Sequence, residues 1–350
     1  MPMLFSTSTS GRNPYFKMIY GSFDGYTIKA LPLSVFYGET LPDFANDDIY
    51  WIHWEGLEFG HNRNPLPLNE RLAAIEVGIL KLKQQGVKII WTVHNFVPHN
   101  SRRDVEAIHA GRRVLFPLVD TIHVHTSYAA DLMSDTYKVA KDKFLIVAHP
   151  SYFDCYEPAQ TTLDRRSNLP KSDHRRFVHI GKVQENRGGR FMWRGLKALS
   201  LRREDWELEI AGKVIRSEWR GLGAVREMEN VTFHDRFLPN DEFRDIVASA
   251  QVCLAPFDRL LTSGSVNMAL TYGLPIIGPD TEALKSHLPE ALHPYLYRDK
   301  NVRSMMFKMR QMIDMSDNEL LDLRGICIDH AWSIRPECQS LALKTGIGVE

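Results

Sequence analysis

The chain has 350 residues, 44% hydrophobic and 25% charged, which is the balance of a folded globular protein long enough for two domains. Lysine plus arginine equals aspartate plus glutamate at 43 each, so no overall field attracts nucleic acid and no nucleic-acid partner is expected. The 4 cysteines lack zinc-ligand spacing, and neither a signal peptide nor a run of about 18 apolar residues occurs, so we expect a metal-free cytoplasmic protein.

Short apolar runs alternate with longer amphipathic runs in the first half of the chain, a pattern typical of parallel sheets covered by helices. This half is predicted to form one doubly wound, Rossmann-like α/β domain over residues 1–156. The predicted strands are 49–53, 88–94, 121–125 and 144–148, and the main predicted helices are 69–85 and 103–116.

The polar segment 157–175 contains two prolines and no apolar period, so it is predicted to be a linker. The alternation then restarts and predicts a second doubly wound domain over 176–330 and a helical tail over 331–350. Its predicted strands are 176–183, 206–211, 231–234, 251–256 and 275–278, and its helices are 190–202, 241–250, one from Ser265 and one from Asn301.

The helix predicted from Asn301 carries a stripe of methionines, which we expect to pack in the core rather than to bind a partner. The stripe consists of Met305, Met306, Met309, Met312 and Met315. Two α/β domains in series also predict a ligand cleft between them, at the carboxyl ends of their strands.

The strongest local signal is LLTSGSVNMALTYGLPIIGPD at 260–280, where a strand, a short loop and a helix follow one another. The free amides of Ser265, Val266 and Asn267 would face a ligand with the positive end of the helix dipole, which suits a diphosphate without a metal. A glycine in the loop would let the backbone approach that ligand. The alternative is an ordinary capped helix. The candidate donor-binding residues here are Thr262, Ser263, Gly264, Ser265 and Val266.

A second signal is GKVQENRG at 181–188, directly after a predicted strand. Lys182 and Arg187 would clamp the same diphosphate, the lysine as a point charge and the arginine as a bidentate fork. The alternative is a solvated basic loop.

The third signal is His94, at the point where a buried strand opens into a loop at the carboxyl edge of the sheet. It would bond a sugar hydroxyl or pass a proton. His53 and Glu55 lie at the matching edge of an earlier strand, and the Glu55 carboxylate is a candidate base for an acceptor hydroxyl. The alternatives are a simply hydrogen-bonded histidine and an exposed glutamate. The other strand histidines, which are expected to be core or edge residues, are His123, His125, His149 and His179.

Together, the GK-x(4)-RG loop, the TSGS-x(7)-GLP-x-I segment and the preceding His-Asn pair resemble GT-B glycosyltransferases. The closest likeness is to the family 1/family 4-like enzymes of bacterial exopolysaccharide assembly. The resemblance implies two Rossmann-like domains facing each other across a cleft, a nucleotide-sugar donor and no metal or other cofactor. It implies donor-phosphate contacts from Lys182, Arg187 and the helix start at Ser263–Val266, and a contact between His94 and the donor sugar.

The resemblance also extends to SGRNPY at 10–15, which is similar to the first loop of exopolysaccharide transferases, where acceptor and donor meet. It makes Asn13 and Tyr15, together with His53, candidate acceptor-side residues. A glycan or lipid-linked acceptor is the partner that such enzymes imply.

One feature departs from the family, whose retaining members carry a spaced pair of glutamates across the segment that here runs from about Leu260 to Met268 and holds no acid. Its absence favours an inverting reaction with a base such as Glu55. Two alternatives stay open. One is a non-catalytic nucleotide-sugar-binding scaffold subunit, and the other is a nucleotide-sugar epimerase, which would need several carboxylates around the cleft.

The helix after His94 is basic and followed by apolar residues, so it would contact an anionic membrane at roughly 1 kcal/mol per charge. Such a contact, at the inner face of the plasma membrane, would suit a lipid-linked acceptor. The alternative is a solvated helix whose arginines pair with Asp104 and Glu106. The basic residues are Arg102, Arg103, Arg112 and Arg113, and the apolar ones are Val114, Leu115 and Phe116.

Overall fold

The computed structural model describes residues 1–9, 14–38, 41–59, 66–96, 105–183, 189–214, 223–257 and 260–349. The chain divides into two units, each with its own parallel sheet. Unit 1 comprises Met1–Ala148 and Glu337–Glu350, and unit 2 comprises His149–Pro336.

The strands in chain order are β1 (Met3–Ser6), β2 (Thr27–Ala30), β3 (Ile49–His53), β4 (Lys88–Thr92), β5 (Thr121–Val124), β6 (Phe144–Ile146), β7 (Arg175–Ile180), β8 (Trp206–Ala211), β9 (Val231–His234), β10 (Val252–Leu254) and β11 (Ile276–Ile277).

The α-helices are α1 (Tyr15–Ile19), α2 (Val35–Gly38), α3 (Gly56–Phe59), α4 (Leu68–Gln84), α5 (Val105–Leu118), α6 (Ser127–Tyr137), α7 (Ala159–Asp164), α8 (Gly189–Ser200), α9 (Gly223–Arg226), α10 (Asn240–Ser249), α11 (Gly264–Thr271), α12 (Glu282–Lys285), α13 (Val302–Asp314), α14 (Asp317–Ser333) and α15 (Pro336–Gly346).

The sheet of unit 1 has the strand order β2-β1-β3-β4-β5-β6, with all pairs parallel. Every residue of β3 is buried, as expected for a strand covered on both faces. The chain runs outward to one side through β2 and to the other through β4, β5 and β6. The order therefore reverses between β1 and β3, where a doubly wound sheet opens a crevice at its carboxyl edge.

The sheet of unit 2 has the order β11-β10-β7-β8-β9, also parallel throughout. Its order reverses between β7 and β10, so the loops that follow these two strands border the crevice of this unit. Gly181, the first residue after β7, has a φ of 105°, a backbone conformation that glycine adopts without a steric penalty.

The ends of the predicted domains differ from the units of the structure. The division falls after Ala148 rather than after residue 156, and the predicted linker 157–175 contains α7. Glu157 accepts two hydrogen bonds from Arg165 at 2.9 and 2.8 Å, and Arg324 Nε donates to the Arg165 carbonyl at 2.6 Å. The segment is therefore an ordered part of unit 2, held by hydrogen bonds of Arg165 and Arg324. Its polar composition alone does not reveal these contacts.

The predicted C-terminal tail also has a different place. Ser340, in α15, donates its hydroxyl hydrogen to the Ile19 carbonyl at 2.8 Å and accepts from the Ser22 amide at 2.8 Å. Residues from Glu337 onward thus complete unit 1. The prediction for the methionine stripe is confirmed, because Met305, Met306, Met309 and Met312 are buried in α13.

Candidate active site

The start of α11 lies directly after the loop that follows β10. Ser263 caps it, since its Oγ accepts a hydrogen bond from the Val266 amide at 3.2 Å, and the Asn267 amide donates to the Ser263 carbonyl at 3.2 Å. The expectation that the Val266 and Asn267 amides face a ligand is corrected by these bonds. The amides of Gly264 and Ser265 are the ones that the helix itself leaves unused.

Thr262 supplies a second polar group at this helix start. Its Oγ1 is buried and, within the part of the chain that the structure describes, has no hydrogen-bond partner. Leaving a buried hydroxyl unsatisfied costs about 1–3 kcal/mol, and such groups in folded proteins call for a ligand, an ion or a water. Two amides and one hydroxyl are therefore available at the positive end of the α11 dipole.

The space over the Gly264 α-carbon is occupied by a side chain of unit 2. A Cβ at this position would lie 2.4 Å from the Tyr152 hydroxyl oxygen and 3.9 Å from His149 Nε2. The glycine is thus needed to admit Tyr152, whereas the sequence suggested the approach of a ligand.

His149 presents a neutral ring beside this glycine. Burial lowers the pKa of His149 to about 4, and its Nδ1 lies 2.8 Å from the Pro150 carbonyl, which only accepts hydrogen bonds. The ring therefore carries its hydrogen on Nδ1, and Nε2 is an acceptor.

Lys182 follows β7, the strand next to β10, so it borders the same crevice as the start of α11. Arg187, its predicted partner on the diphosphate, lies outside the described residues. The clamp formed by these two cations stays a prediction.

Glu55, the predicted base, follows β3 in unit 1 and is 3% exposed. Its Oε1 accepts hydrogen bonds from Arg112 Nε at 2.8 Å and Nη2 at 2.6 Å, and its Oε2 accepts from Trp91 Nε1 at 3.2 Å. A carboxylate whose two oxygens are held in this way is poorly placed to take a proton from an acceptor. These contacts argue for a structural role.

Arg112 extends this ion pair to the loop after β4. Its Nη2 donates to the Asn95 carbonyl at 2.6 Å and its Nη1 to the Phe96 carbonyl at 2.5 Å. The guanidinium therefore links Asn95 and Phe96, the two residues after His94, to Glu55. It is 1% exposed, so it does not belong to a membrane-facing surface, contrary to the basic-helix hypothesis.

Other residues of this helix also argue against the hypothesis that it contacts a membrane. Leu115 and Phe116 of α5 are buried in unit 1, whereas Arg113 is exposed. Arg102 and Arg103 lie outside the described residues. Among the residues that the structure describes, no helix combines the length and the apolar character needed to cross a membrane.

His53 and His94 meet at the carboxyl edge of the unit 1 sheet. His53 Nδ1 lies 2.9 Å from His94 Nε2, and His53 Nε2 lies 2.8 Å from the Tyr20 hydroxyl. Thr7 fixes the backbone of His53, because its Oγ1 accepts from the His53 amide at 2.7 Å and donates to the His53 carbonyl at 2.9 Å. Burial, and then the charge of His123, lower the pKa of His53 well below its ordinary value, so this ring is neutral.

A second chain of polar groups runs beside the first. Trp51 Nε1 donates to Thr92 Oγ1 at 2.8 Å, Thr92 Oγ1 lies 3.0 Å from His123 Nδ1, and His123 Nε2 lies 3.0 Å from the Val147 carbonyl. Because the carbonyl only accepts, His123 is protonated on Nε2 and accepts from the threonine. The expectation that His123 is a core residue is confirmed by its 0% exposure.

Tyr15 and Trp54 enclose the His94 ring. Tyr15 meets it edge-on with ring centroids 5.1 Å apart, and Trp54 stacks on it at 4.3 Å and 16°. Trp54 has a φ of 45°, an unusual conformation for a bulky residue that the surrounding structure must hold in place. The structure thus brings Tyr15, His53 and His94 together, while Asn13 lies outside the described residues.

In the described ranges, no group of three His, Cys, Asp or Glu side chains is placed to hold a metal ion. Residues 174–315 match a family model described as glycosyl transferases group 1. Unit 2 therefore carries a glycosyl transferase group 1 domain. The matched segment contains Lys182 and the start of α11, and no curated protein matches the chain in sequence.

Solved structures show which fold the chain has. HepE from Anabaena, in complex with UDP, is similar with a TM-score of 0.69 at 10% identity, over 99% of each chain. Sucrose-phosphate synthase from Thermosynechococcus elongatus is similar with a TM-score of 0.66 at 12% identity, over 98% of this chain and 97% of its own. The TarM mutant from S. aureus, in complex with ligands that include UDP, is similar with a TM-score of 0.61 at 9% identity.

The match to TarM covers 87% of this chain, which spans 56% of the TarM chain. At such low identities these likenesses show the fold, and the prediction of a GT-B α/β fold is confirmed.

Several residues at the carboxyl edge of the unit 1 sheet carry a further signal in the sequence. Successive predicted strands of unit 1 each end in a histidine, namely His53, His94 and His125. Parallel strands bring their carboxyl ends to one edge, so this repetition predicts neighbouring rings. Trp54 and Tyr20 carry no comparable signal, since their places depend on how α1 and the loop after β3 fold.

Proposed function

We propose that this glycosyltransferase moves a sugar from a nucleoside diphosphate sugar to an acceptor hydroxyl, without a metal and with inversion at the anomeric carbon. The observation that carries the proposal is the polar start of α11, where the amides of Gly264 and Ser265 are unused by the helix and the buried Thr262 hydroxyl lacks a partner among the described residues. Diphosphate oxygens would satisfy all three groups at the positive end of the helix.

Uracil is the base that we propose for the donor. HepE and TarM were solved in complex with UDP, and a trehalose-phosphate synthase of similar fold from Burkholderia vietnamiensis is described as UDP-forming. Lys182, and Arg187 with it, would neutralise the diphosphate as it leaves. Ser263 would contribute by holding the helix start in shape.

His94 takes the place of Glu55 as the proposed base. In the reaction, the acceptor oxygen attacks the anomeric carbon, the bond from that carbon to the diphosphate oxygen breaks, and the acceptor proton passes to His94. His53 and Tyr15 contact His94, which supports an acceptor-side role for them. The class of acceptor, a glycan or lipid-linked sugar of exopolysaccharide assembly, is proposed from the sequence resemblance.

The first test is calorimetric titration of the protein with UDP, GDP, ADP and dTDP in the presence of EDTA. We expect UDP to bind best. Thr262→Val should weaken UDP binding about 10-fold to 100-fold, because a hydrogen bond to a charged group contributes about 1.5–3 kcal/mol. It should not lower the free energy of unfolding, since the hydroxyl has no partner to lose.

Thr281→Val is the matched control in the same unit. The Thr281 hydroxyl oxygen accepts from the Leu284 amide at the start of α12, so its loss should cost about 1 kcal/mol of stability and leave UDP affinity unchanged. Equal effects of the two variants on UDP binding, or no binding by any of the four nucleotides, would contradict the assignment of the α11 site.

A second candidate is a nucleotide-sugar-binding subunit without catalysis. The paired Glu55 carboxylate favours it, because the predicted base is then engaged elsewhere. Donor turnover separates the two functions. Release of UDP from a UDP-sugar, by transfer or by slow hydrolysis, supports the enzyme, whereas tight UDP binding with no release of UDP from any UDP-sugar tested supports the binding subunit.

A further inference from the structure

A single chain of hydrogen bonds leads from a backbone carbonyl to His94. Ser6 Oγ donates to the Ser8 carbonyl at 2.7 Å, and the Tyr20 hydroxyl donates to Ser6 Oγ at 3.1 Å. Beyond Tyr20, the chain continues through the 2.8 Å contact with His53 Nε2 and the 2.9 Å contact between His53 Nδ1 and His94 Nε2. All four side chains are less than a tenth exposed, so bulk water does not compete for these contacts.

The carbonyl sets the direction of every bond in this chain. A carbonyl oxygen only accepts, so the one hydrogen of Ser6 points to Ser8 and the one hydrogen of Tyr20 points to Ser6. Tyr20 must then accept from His53, which carries its hydrogen on Nε2. The unprotonated His53 Nδ1 in turn accepts from His94.

The same direction gives His94 one assigned proton position. Its Nε2 carries a hydrogen in both the neutral and the charged ring, because His53 Nδ1 offers an acceptor at that point. The proton that the ring gains or loses is therefore the one on Nδ1.

We propose that Ser6, Tyr20 and His53 are positioning residues that hold one proton on His94 Nε2 and make Nδ1 the atom that takes the proton of the acceptor hydroxyl. This inference rests on the proposed role of His94 as base. When the acceptor O–H bond breaks, its proton forms a bond to His94 Nδ1. The resulting imidazolium still donates its Nε2 hydrogen to His53 Nδ1.

Two further contacts keep this geometry. The stack of Trp54 on His94 fixes the plane of the ring, and the two Thr7 contacts fix the backbone of His53. Burial keeps His53 neutral, so its Nδ1 does not acquire a proton of its own that would reverse the contact. A tautomer that is fixed before the substrate arrives needs no reorganisation during the reaction.

The test is nitrogen NMR of the full-length protein labelled with ¹⁵N-histidine, with the His53 and His94 signals assigned from His53→Asn and His94→Asn spectra. We expect both rings in the Nε2–H form at neutral pH in the free protein. In Tyr20→Phe, His53 Nε2–H has no acceptor, so His53 should shift its hydrogen to Nδ1 and move His94 to the Nδ1–H form.

Ser6→Ala is a milder second variant, because it deletes one oxygen and leaves Tyr20 free to donate to His53, which again favours the Nδ1–H form of His94. Tyr15→Phe is the control for the tautomer signal. It removes another hydroxyl from α1, one that contacts His125 at 3.2 Å and is no part of the chain, so the His94 tautomer should not change.

Turnover provides the second readout. With UDP affinity unchanged, kcat should fall roughly 10-fold or more in Tyr20→Phe, as expected when a general base is presented in the wrong form. His94 in the Nδ1–H form in the native protein, or an unchanged His94 tautomer in both folded variants, overturns the inference even if sugar transfer occurs. The expected tautomers together with no release of UDP from a UDP-sugar would instead overturn the proposed function, and with it the proton transfer to Nδ1.

Discussion

The crevices at the carboxyl edges of the two sheets are lined by different kinds of polar group. In unit 1 the edge is lined by rings that bond to one another, with His53 between Tyr20 and His94. In unit 2 the edge presents the Gly264 and Ser265 amides, which the helix leaves unused, and the Thr262 hydroxyl, which has no partner among the described residues. The rings of the first crevice thus bond to one another, whereas the polar groups of the second are left for a ligand, an ion or a water.

In the proposed transfer reaction, accepting a proton and binding the departing diphosphate place different demands on a protein. A proton-accepting group works best when its tautomer and orientation are fixed in advance, which a closed network of buried polar groups provides. A binding site for a departing diphosphate instead needs donors that are left open. The predictions below change one side of this contrast at a time.

The largest expected effect is in unit 1. Glu55→Gln leaves Arg112 buried without its anionic partner, so the free energy of unfolding should fall by about 3–5 kcal/mol in urea denaturation. The matched control is Asp131→Ala, which breaks an ion pair with Lys141 whose side chains are 55% and 69% exposed, and should leave the free energy of unfolding nearly unchanged. Full stability of Glu55→Gln with lost turnover would restore Glu55 as the base.

An effect that is smaller for each residue concerns unit 2 at acidic pH. Burial lowers the pKa of His149 and of His287 to about 4, each below the ordinary value of 6.5. Unfolded chains then bind more protons than folded ones between these values, so stability is complete above about pH 6.5 and is lost as the pH falls toward about 4.

Each histidine should contribute up to about 3 kcal/mol to this loss, at 1.36 kcal/mol per pKa unit. Urea denaturation at about pH 7 and about pH 4.5 measures it. His287→Asn, which can still donate to the Leu261 carbonyl, should flatten the pH dependence of the native protein. An unchanged slope in this variant would show that His287 titrates normally in the folded state.

The smallest expected effect concerns Gly264. Gly264→Ala should lower the free energy of unfolding by about 1–3 kcal/mol, because the new Cβ meets the Tyr152 hydroxyl oxygen 2.4 Å away. Adding Tyr152→Phe should recover that stability, since the remaining Tyr152 atom, Cζ, lies at an ordinary 3.6 Å.

The repaired double variant also separates two roles of the glycine. Native UDP affinity in Gly264→Ala/Tyr152→Phe would mean that the glycine serves Tyr152 alone. Affinity that stays low in this stable protein would mean that a phosphate approaches the same face of the backbone. Calorimetric titration distinguishes the two results.

Most strands and helices could be predicted from local sequence patterns. The elements that were missed have short or absent apolar patterns. The buried strands β3, β4 and β7 are predicted because their apolar runs are long enough to stand out. Two strands were missed. The interior strand β1 has only 4 residues, and all residues of the edge strand β2, Thr27–Ala30, are exposed and carry no apolar pattern. The helical segment α7 was missed for a related reason, since it has few apolar residues and the Arg165–Glu157 pair and Arg324 help to hold the segment around it.

The candidate site divides in the same way. The loop and helix at Thr262–Ser265 are contiguous in sequence, so glycine and hydroxyl residues reveal them locally. The partners of Glu55 and His94 come from distant segments. Arg112 is 57 positions from Glu55 and His53 is 41 positions from His94, so their pairing depends on strand order and helix placement. Residue types alone therefore suggested a free base where the structure has an ion pair.

The position of α15 in unit 1 has a consequence for folding during translation. Ser340 bonds to Ile19 and Ser22, and Lys88 Nζ donates to the Ile347 carbonyl. Unit 1 therefore lacks α15 until residues 336–346 have been translated, long after its strands. Unit 2, contiguous from His149 to Pro336, can fold while unit 1 still waits.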